Sequence, residues 1–177
     1  MIPELGQFAL ILALCVAVVQ AAFPLAGTLS NNPAWLALAR PAAGLQFGLL
    51  LIAFACLAAS FLSNDFSVAY VAQHSNSLLP KPYQFAAVWG GHEGSLLLWI
   101  VLLSAWGGAV ALFSRKLPLP MVARVLSVMG WVASLVLSIY LGLRATMLIG
   151  GVMYLLALAA LAAQRSGSAQ MLLSQLS

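Results

Sequence analysis

Residues 89–99 are the part of the chain in which titratable, aromatic and small side chains come together. Their sequence is WGGHEGSLLLW, and a long apolar run begins within it. An ionisable side chain is costly close to hydrocarbon, so a histidine and a glutamate at the entrance to an apolar helix indicate a functional site. His92 and Glu93 are therefore the first candidates for chemistry in this sequence.

Three interpretations of this pair are open. A neutral imidazole at His92 can ligate haem iron or another metal. His92 and Glu93 together can carry a proton, as such pairs do in transporters. Both can instead cap the helix that begins here and hydrogen-bond to the preceding loop, where the charge of Glu93 also favours the helix dipole. We favour the third interpretation and predict no metal site, because His92 has no partner at ligand spacing.

Tryptophan and glycine residues surround the pair in a regular pattern. Trp89, His92, Trp99 and Trp106 are separated by 3, 7 and 7 positions. At about 3.6 residues per turn these positions stay close to one face of a helix, provided that the helix extends back to Trp89. We take Trp89, His92 and Trp99 as candidate cofactor-binding residues.

Residues 89–99 form one motif, and its remaining residues have a predicted structural role. Gly90, Gly91 and Gly94 remove side chains from the helix entrance, so another helix or the flat face of a ligand could approach the backbone closely. We expect these glycines, together with Glu93 and Ser95, to fix the loop onto the start of the helix.

The fold class follows from composition. Of the 177 residues, 64% are apolar and 6% are charged, and apolar runs of about 20 residues, the length that spans a bilayer as a helix, recur along the chain. The runs are apolar on every face, unlike the alternating strands of a transmembrane barrel. We predict an all-α polytopic integral membrane helix bundle with about five transmembrane helices. The predicted spans are residues 5–25, 41–62, 95–113, 121–143 and 146–163.

The basic residues predict an orientation, because they prefer short cytoplasmic loops. With the N-terminus in the periplasm, five of the seven basic residues are cytoplasmic and two are periplasmic. The prediction is then a transmembrane bundle over residues 1–164, a periplasmic aromatic loop over residues 63–91 and a short cytoplasmic polar tail over residues 165–177. The first run is too long for a cleavable signal peptide and carries Glu4 in its flank, so we expect it to stay in the mature protein.

The long loop should contain some structure of its own. Its aromatic side chains suit a membrane interface. Pro80 and Pro82 interrupt a preceding helix, and Pro82 can open a short helix over residues 83–89 that ends at the paired glycines. We interpret His74 as a solvated loop residue.

Other classes of function find little support in the sequence. Cys15 and Cys56 fall within spans and form no Cys-x-x-Cys motif, so we interpret them as packing residues. Membrane topology and anionic membrane lipid explain the formal charge of +4. Basic residues are not interleaved with aromatic ones on a soluble face, so we predict no nucleic-acid partner.

The motif and several other strings resemble a known family, the CcmF proteins and their NrfE-like relatives. The most specific string is Trp-Gly-x-His-Glu-Gly-Ser-Leu at residues 89–96, and the resemblance covers about residues 1–143. The other matching strings are PELG at 3–6, LARP at 38–41, NDFSVAYVA at 64–72, HSN at 74–76, LP at 79–80, LFSR at 112–115 and MVARVL at 121–126.

This resemblance implies a membrane component of the haem lyase of cytochrome c maturation, located in the bacterial inner membrane. The family delivers haem and attaches its vinyl groups to the thiols of a Cys-x-x-Cys-His site in apocytochrome c. Haem is the implied cofactor. The implied partners are the haem chaperone CcmE, CcmH and apocytochrome c, with membrane lipid as the surroundings.

Other parts of the family pattern do not occur in this sequence. The tryptophan-rich haem-presenting segment is absent, and no histidine follows His92. We therefore carry no family haem ligand over to a numbered residue, do not expect this chain alone to bind haem tightly, and leave open whether it catalyses the reaction itself. The alternatives are a truncated or split non-catalytic module that assembles with a haem-handling partner, and a small proton-coupled membrane transporter.

Overall fold

The computed structural model describes residues 1–142 and Gly151. Every regular element of residues 1–142 is an α-helix, as the composition predicted. In chain order the helices are α1 (Ile2–Ser30), α2 (Pro33–Ala37), α3 (Ala39–Leu62), α4 (Ala69–His74), α5 (Lys81–Ala87), α6 (His92–Phe113) and α7 (Leu119–Leu141).

The described residues contain four helical stretches that are long and apolar enough to cross a membrane. They are Ile2–Ser30, Pro33–Leu62, His92–Phe113 and Leu119–Leu141. The predicted polytopic helical membrane protein is thus confirmed. The predicted fifth span at 146–163 and the tail at 165–177 lie outside the described residues, apart from Gly151. The total of five spans and the periplasmic N-terminus stay predictions.

Local sequence explains where the helices end. Asn31 adopts a left-handed conformation with φ of 52° and ends α1, and its N–H donates to the carbonyl of Gly27. The side chain of Asn32 then accepts a hydrogen bond from the Ala34 N–H at 3.0 Å, which caps α2, and Pro33 occupies the first turn. Asparagine tolerates the left-handed region and is a preferred N-cap, so one pair of residues stops one helix and starts the next.

Small residues let the long helices pack closely. Ala9, Ala13, Ala17 and Ala21 form a buried stripe along α1, and this helix packs against both α3 and α7. A Cβ atom at Gly130 of α7 would lie 2.9 Å from the Ala21 nitrogen and 3.0 Å from the Ala17 oxygen. Without a hydrophobic driving force inside the bilayer, such close backbone packing is what associates helices.

Candidate functional site

The loop between α3 and α6 is folded onto one end of the helix bundle. Val71 of α4 and Val88 are fully buried in a cluster with Phe61 at the end of α3. The predicted short helix is α5, which begins at Lys81 rather than Tyr83 and ends before the paired glycines. The loop therefore has a fixed position relative to the start of α6.

Gln84 attaches α5 to the bundle through hydrogen bonds that sequence reasoning missed. Its side chain is buried, and its Nε2 donates to the Asn64 side-chain oxygen and to the Leu79 carbonyl, each at 3.0 Å. Lys81 Nζ donates to the Gln84 Oε1 at 3.0 Å and to the carbonyl of Leu62. These bonds pair polar groups that burial would otherwise leave unsatisfied.

Tyr70 joins the loop to the motif. Its hydroxyl accepts a hydrogen bond from the Gly91 N–H at 3.0 Å and donates one to the Val88 carbonyl at 3.2 Å. Its ring packs edge-to-face on Phe61, with centroids 5.5 Å apart. One side chain of α4 thus satisfies backbone groups on both sides of Trp89 and Gly90.

His74 contacts the motif and is half-buried, so its interpretation as a solvated loop residue was wrong. Its Nδ1 lies 3.0 Å from the carbonyl oxygen of Tyr70, and the two rings are 4.4 Å apart. A Cβ at Gly91 would lie 2.5 Å from the His74 Nε2. In the sequence, His74 was marked only by the family string at residues 74–76, and that string does not show which residues His74 contacts.

The three glycines of the motif differ in the space around them. A Cβ at Gly94 would overlap the Val88 carbonyl oxygen and lie 2.5 Å from the Tyr70 hydroxyl. At Gly91 it would lie 2.9 Å from the Tyr70 hydroxyl. At Gly90 the nearest atom would be the Ala87 carbonyl oxygen at 3.4 Å, an ordinary contact. Space for a side chain is therefore missing at Gly91 and Gly94 but not at Gly90.

His92 and Glu93 are both exposed in the first turn of α6. The N-cap of α6 is Gly91, and no side-chain cap hydrogen bond is formed there. Neither the His92 nor the Glu93 side chain forms a hydrogen bond among the described residues, so the expected cap by these two side chains is not formed, and Tyr70 binds the loop to the helix start instead. Ser95 Oγ donates to the His92 carbonyl at 2.9 Å. The negative charge of Glu93 does lie where the helix dipole favours it.

The helix face predicted to carry Trp89, His92, Trp99 and Trp106 is shorter than their spacing suggested. Trp89 precedes α6, so it does not extend the helix, and its ring packs edge-to-face on Phe85 with centroids 5.2 Å apart. Trp99 and Trp106 are each 70% exposed on the outside of the described bundle. His92, Trp99 and Trp106 thus share an outward face of α6, whereas Trp89 belongs to the loop.

A cleft of about 450 Å³ opens beside the loop, where the ends of four long helices meet. Glu4, Asp65, Tyr70 and Tyr140 are among its lining residues. Both carboxylates have nearby partners: Glu4 pairs with the N-terminal amine at 2.6 Å, and the Ser67 Oγ donates to Asp65 at 2.5 Å. Within the described residues, no three or more His, Cys, Asp or Glu side chains are grouped to hold a metal ion.

Four apolar helices and an ordered loop at one end of the bundle define a polytopic α-helical membrane protein. Among known proteins, the chain is similar to the cytochrome c-type biogenesis protein CcmF. It is 59% identical to that of Pseudomonas aeruginosa over 134 residues, which are 76% of this chain and 20% of the relative. It is 47% identical to that of Escherichia coli over 133 residues, 75% of this chain and 21% of the relative. The chain thus spans about a fifth of the length of these relatives.

A solved structure agrees with these similarities. The structure of the cytochrome c haem lyase CcmF matches 78% of this chain with a TM-score of 0.74 and 26% identity, over 23% of its own length. No protein-family model matches the chain. The resemblance to the N-terminal part of CcmF that the motifs predicted is confirmed.

Proposed function

We propose that this chain acts in cytochrome c maturation, as the N-terminal helical part of a CcmF-type haem lyase in the bacterial inner membrane. The observation that carries the proposal is the 59% identity to a cytochrome c-type biogenesis protein over 134 residues. The similarity of the fold to a haem lyase supports the same assignment.

Haem and apocytochrome c are the substrates in this proposal. CcmE supplies the haem and CcmH presents the apocytochrome, whose two thiols add to the haem vinyl groups. A membrane protein contributes to such a reaction by positioning the reactants, while the porphyrin and the thiols supply the reacting bonds.

We assign to this chain the role of forming the periplasmic loop and holding it at the end of the bundle where α6 begins. The hydrogen bonds of Tyr70 and Gln84 make the loop an ordered platform. Trp89 and Trp99 are 36% and 70% exposed, and the His92 imidazole is exposed between them in sequence. These side chains are available to contact a flat aromatic ligand or another membrane segment.

The geometry gives less support to a proton-coupled transporter. Glu93 and His92 lie exposed at the end of α6, and no other acidic or histidine side chain lies within the described membrane-spanning helices beyond the terminal turn of α1. A proton relay through the bilayer needs ionisable groups along its path. We therefore favour the role in cytochrome c maturation over that of a transporter.

A chimera tests the proposal. Residues 1–141 of this chain replace the corresponding N-terminal region of E. coli CcmF in a strain that lacks the native protein, and haem staining measures c-type cytochrome. We expect holocytochrome to be restored, with empty vector as the negative control and native CcmF as the positive control. A chimera that reaches the membrane at the native level without any holocytochrome would contradict the assignment.

A further inference from the structure

A groove runs between α3 and α6 at the end of the bundle opposite the loop. Its volume is about 880 Å³. Most lining residues are apolar, and two arginines, Arg40 and Arg115, belong to the same lining. The groove thus combines an apolar wall with basic groups near one end of two membrane-spanning helices.

Small residues create the space in this groove. Gly44 of α3 is exposed, and a Cβ there would meet nothing within 4 Å. On α6, Ala105, Gly108 and Ala109 line the opposite side, and the nearest atom to a Cβ at Gly108 would belong to the Phe47 side chain, 3.8 Å away. The two helices therefore leave a depression that neither fills with its own side chains.

Among the described residues, the basic groups at the groove have no acidic counterpart nearby. Arg40 donates from Nη2 to the Ser114 carbonyl at 3.0 Å, while its buried Nε has no hydrogen-bond partner among the described residues. Arg115 is exposed. The three acidic residues of the chain, Glu4, Asp65 and Glu93, all lie at the other end, near the loop. An unpaired, partly desolvated guanidinium favours an anionic partner.

We propose that this groove binds an anionic phospholipid of the bilayer. One acyl chain lies along the small residues of α3 and α6, and the phosphate accepts hydrogen bonds from the guanidinium groups of Arg40 and Arg115. Basic pockets between transmembrane helices recognise anionic headgroups, and arginine suits phosphate through its forked donors. The site is independent of haem chemistry, and with the predicted orientation it faces the cytoplasmic leaflet.

The structure provides matched variants for a test on the full purified chain. Gly44→Leu places a side chain in the groove, at a position where its Cβ meets no other atom within 4 Å. Gly48→Leu, one turn along the same helix, is its control, because that position also has nothing within 4 Å of a Cβ and does not line the groove. Arg115→Gln removes one headgroup ligand, and Arg124→Gln removes an exposed charge on α7 that does not line the groove.

The measurement is lipid retention by native mass spectrometry after incubation with phosphatidylglycerol or phosphatidylcholine. We expect phosphatidylglycerol to be retained in preference to phosphatidylcholine. Gly44→Leu should abolish that preference while Gly48→Leu keeps it. Arg115→Gln should weaken binding about fivefold, the factor that corresponds to roughly 1 kcal/mol for each basic residue at an anionic lipid surface.

Three results would overturn the proposal. The first is equal retention of both lipids, which would show that the groove contacts the acyl chain without recognising the anionic headgroup. The second is an equal effect of Gly44→Leu and Gly48→Leu. The third is a dimer that dissociates in Gly44→Leu, which would show that a second copy of the chain occupies the groove.

Discussion

The Tyr70 hydroxyl lies 3.0 Å from the backbone nitrogen of Gly91 and accepts its hydrogen bond. This contact crosses from α4 to the first residue before α6, and the same oxygen donates to the Val88 carbonyl on the other side of the turn. The motif that opens α6 thus takes its shape from a side chain of the preceding loop. The first two predictions depend on this arrangement.

Replacing Tyr70 with phenylalanine should destabilise the chain. The change keeps the ring that packs on Phe61 but leaves the Gly91 N–H and the Val88 carbonyl without this partner, at a cost of about 1–3 kcal/mol. The free energy of unfolding, measured in mixed detergent micelles, checks this. Tyr83→Phe is the control, because Tyr83 is 65% exposed and its loss of a hydroxyl should change stability by less than about 0.5 kcal/mol. Equal effects of the two variants would contradict the assigned role of Tyr70.

Alanine at Gly94 should be poorly tolerated, whereas alanine at Gly90 should be tolerated. A single methyl group at Gly94 overlaps the Val88 carbonyl oxygen, so the loop must move away from α6. Overpacking of this kind costs about 1–3 kcal/mol or more. The level of folded chain in the membrane, measured by fluorescence-detected size-exclusion chromatography, should fall in Gly94→Ala and stay near the wild-type level in Gly90→Ala. A lower folded level for Gly90→Ala than for Gly94→Ala would contradict the close contact between Gly94 and the Val88 carbonyl.

Glu93→Gln should have a mild effect. The carboxylate lies in the first turn of α6 and forms no hydrogen bond among the described residues, so the amide loses only the favourable charge–dipole interaction, about 0.3–1 kcal/mol. Holocytochrome yield of the chimera, divided by its abundance in the membrane, should remain close to that of the unsubstituted chimera. An inactive Glu93→Gln protein at normal abundance would instead support the proton-transport interpretation.

The purified full chain should not bind haem stoichiometrically. Its two histidines, His74 and His92, both lie at the loop end of the bundle, and the imidazole of His74 is already engaged with Tyr70. The absorption spectrum after expression with ample haem measures bound haem per chain. A stoichiometric b-type spectrum that disappears in His92→Ala and persists in His74→Ala would identify His92 as a haem ligand and overturn this prediction.

The topology can be tested with single cysteines at two exposed positions, Gln73 in the loop and Lys116 between α6 and α7. The background replaces Cys15 and Cys56 with alanine. A membrane-impermeant thiol reagent applied to intact cells with a permeable outer membrane should label Gln73→Cys only, because we expect the loop in the periplasm. If only Lys116→Cys were labelled, the loop would lie in the cytoplasm and the predicted orientation would be wrong.

Sequence alone was sufficient for the class of protein, an all-helical polytopic membrane protein. Transfer of an apolar helix into a bilayer depends on composition summed over about 20 consecutive residues, which is a local property of the chain. The string at residues 89–96 was specific enough to indicate the family. Proline and glycine positions also indicated the short helix before α6, although its start lies at Lys81 and not at Tyr83.

The contacts that shape the candidate site were decided by tertiary structure. Tyr70 is 21 positions from Gly91 and Gln84 is 20 positions from Asn64, and no local pattern of hydrophobicity or helix propensity pairs residues at such separations. For the same reason, sequence could assign a cap to His92 and Glu93 but could not show that Tyr70 takes that role. The groove beside Gly44 likewise exists only because α6 presents Gly108 and three alanines to it, which depends on how two helices distant in sequence pack together.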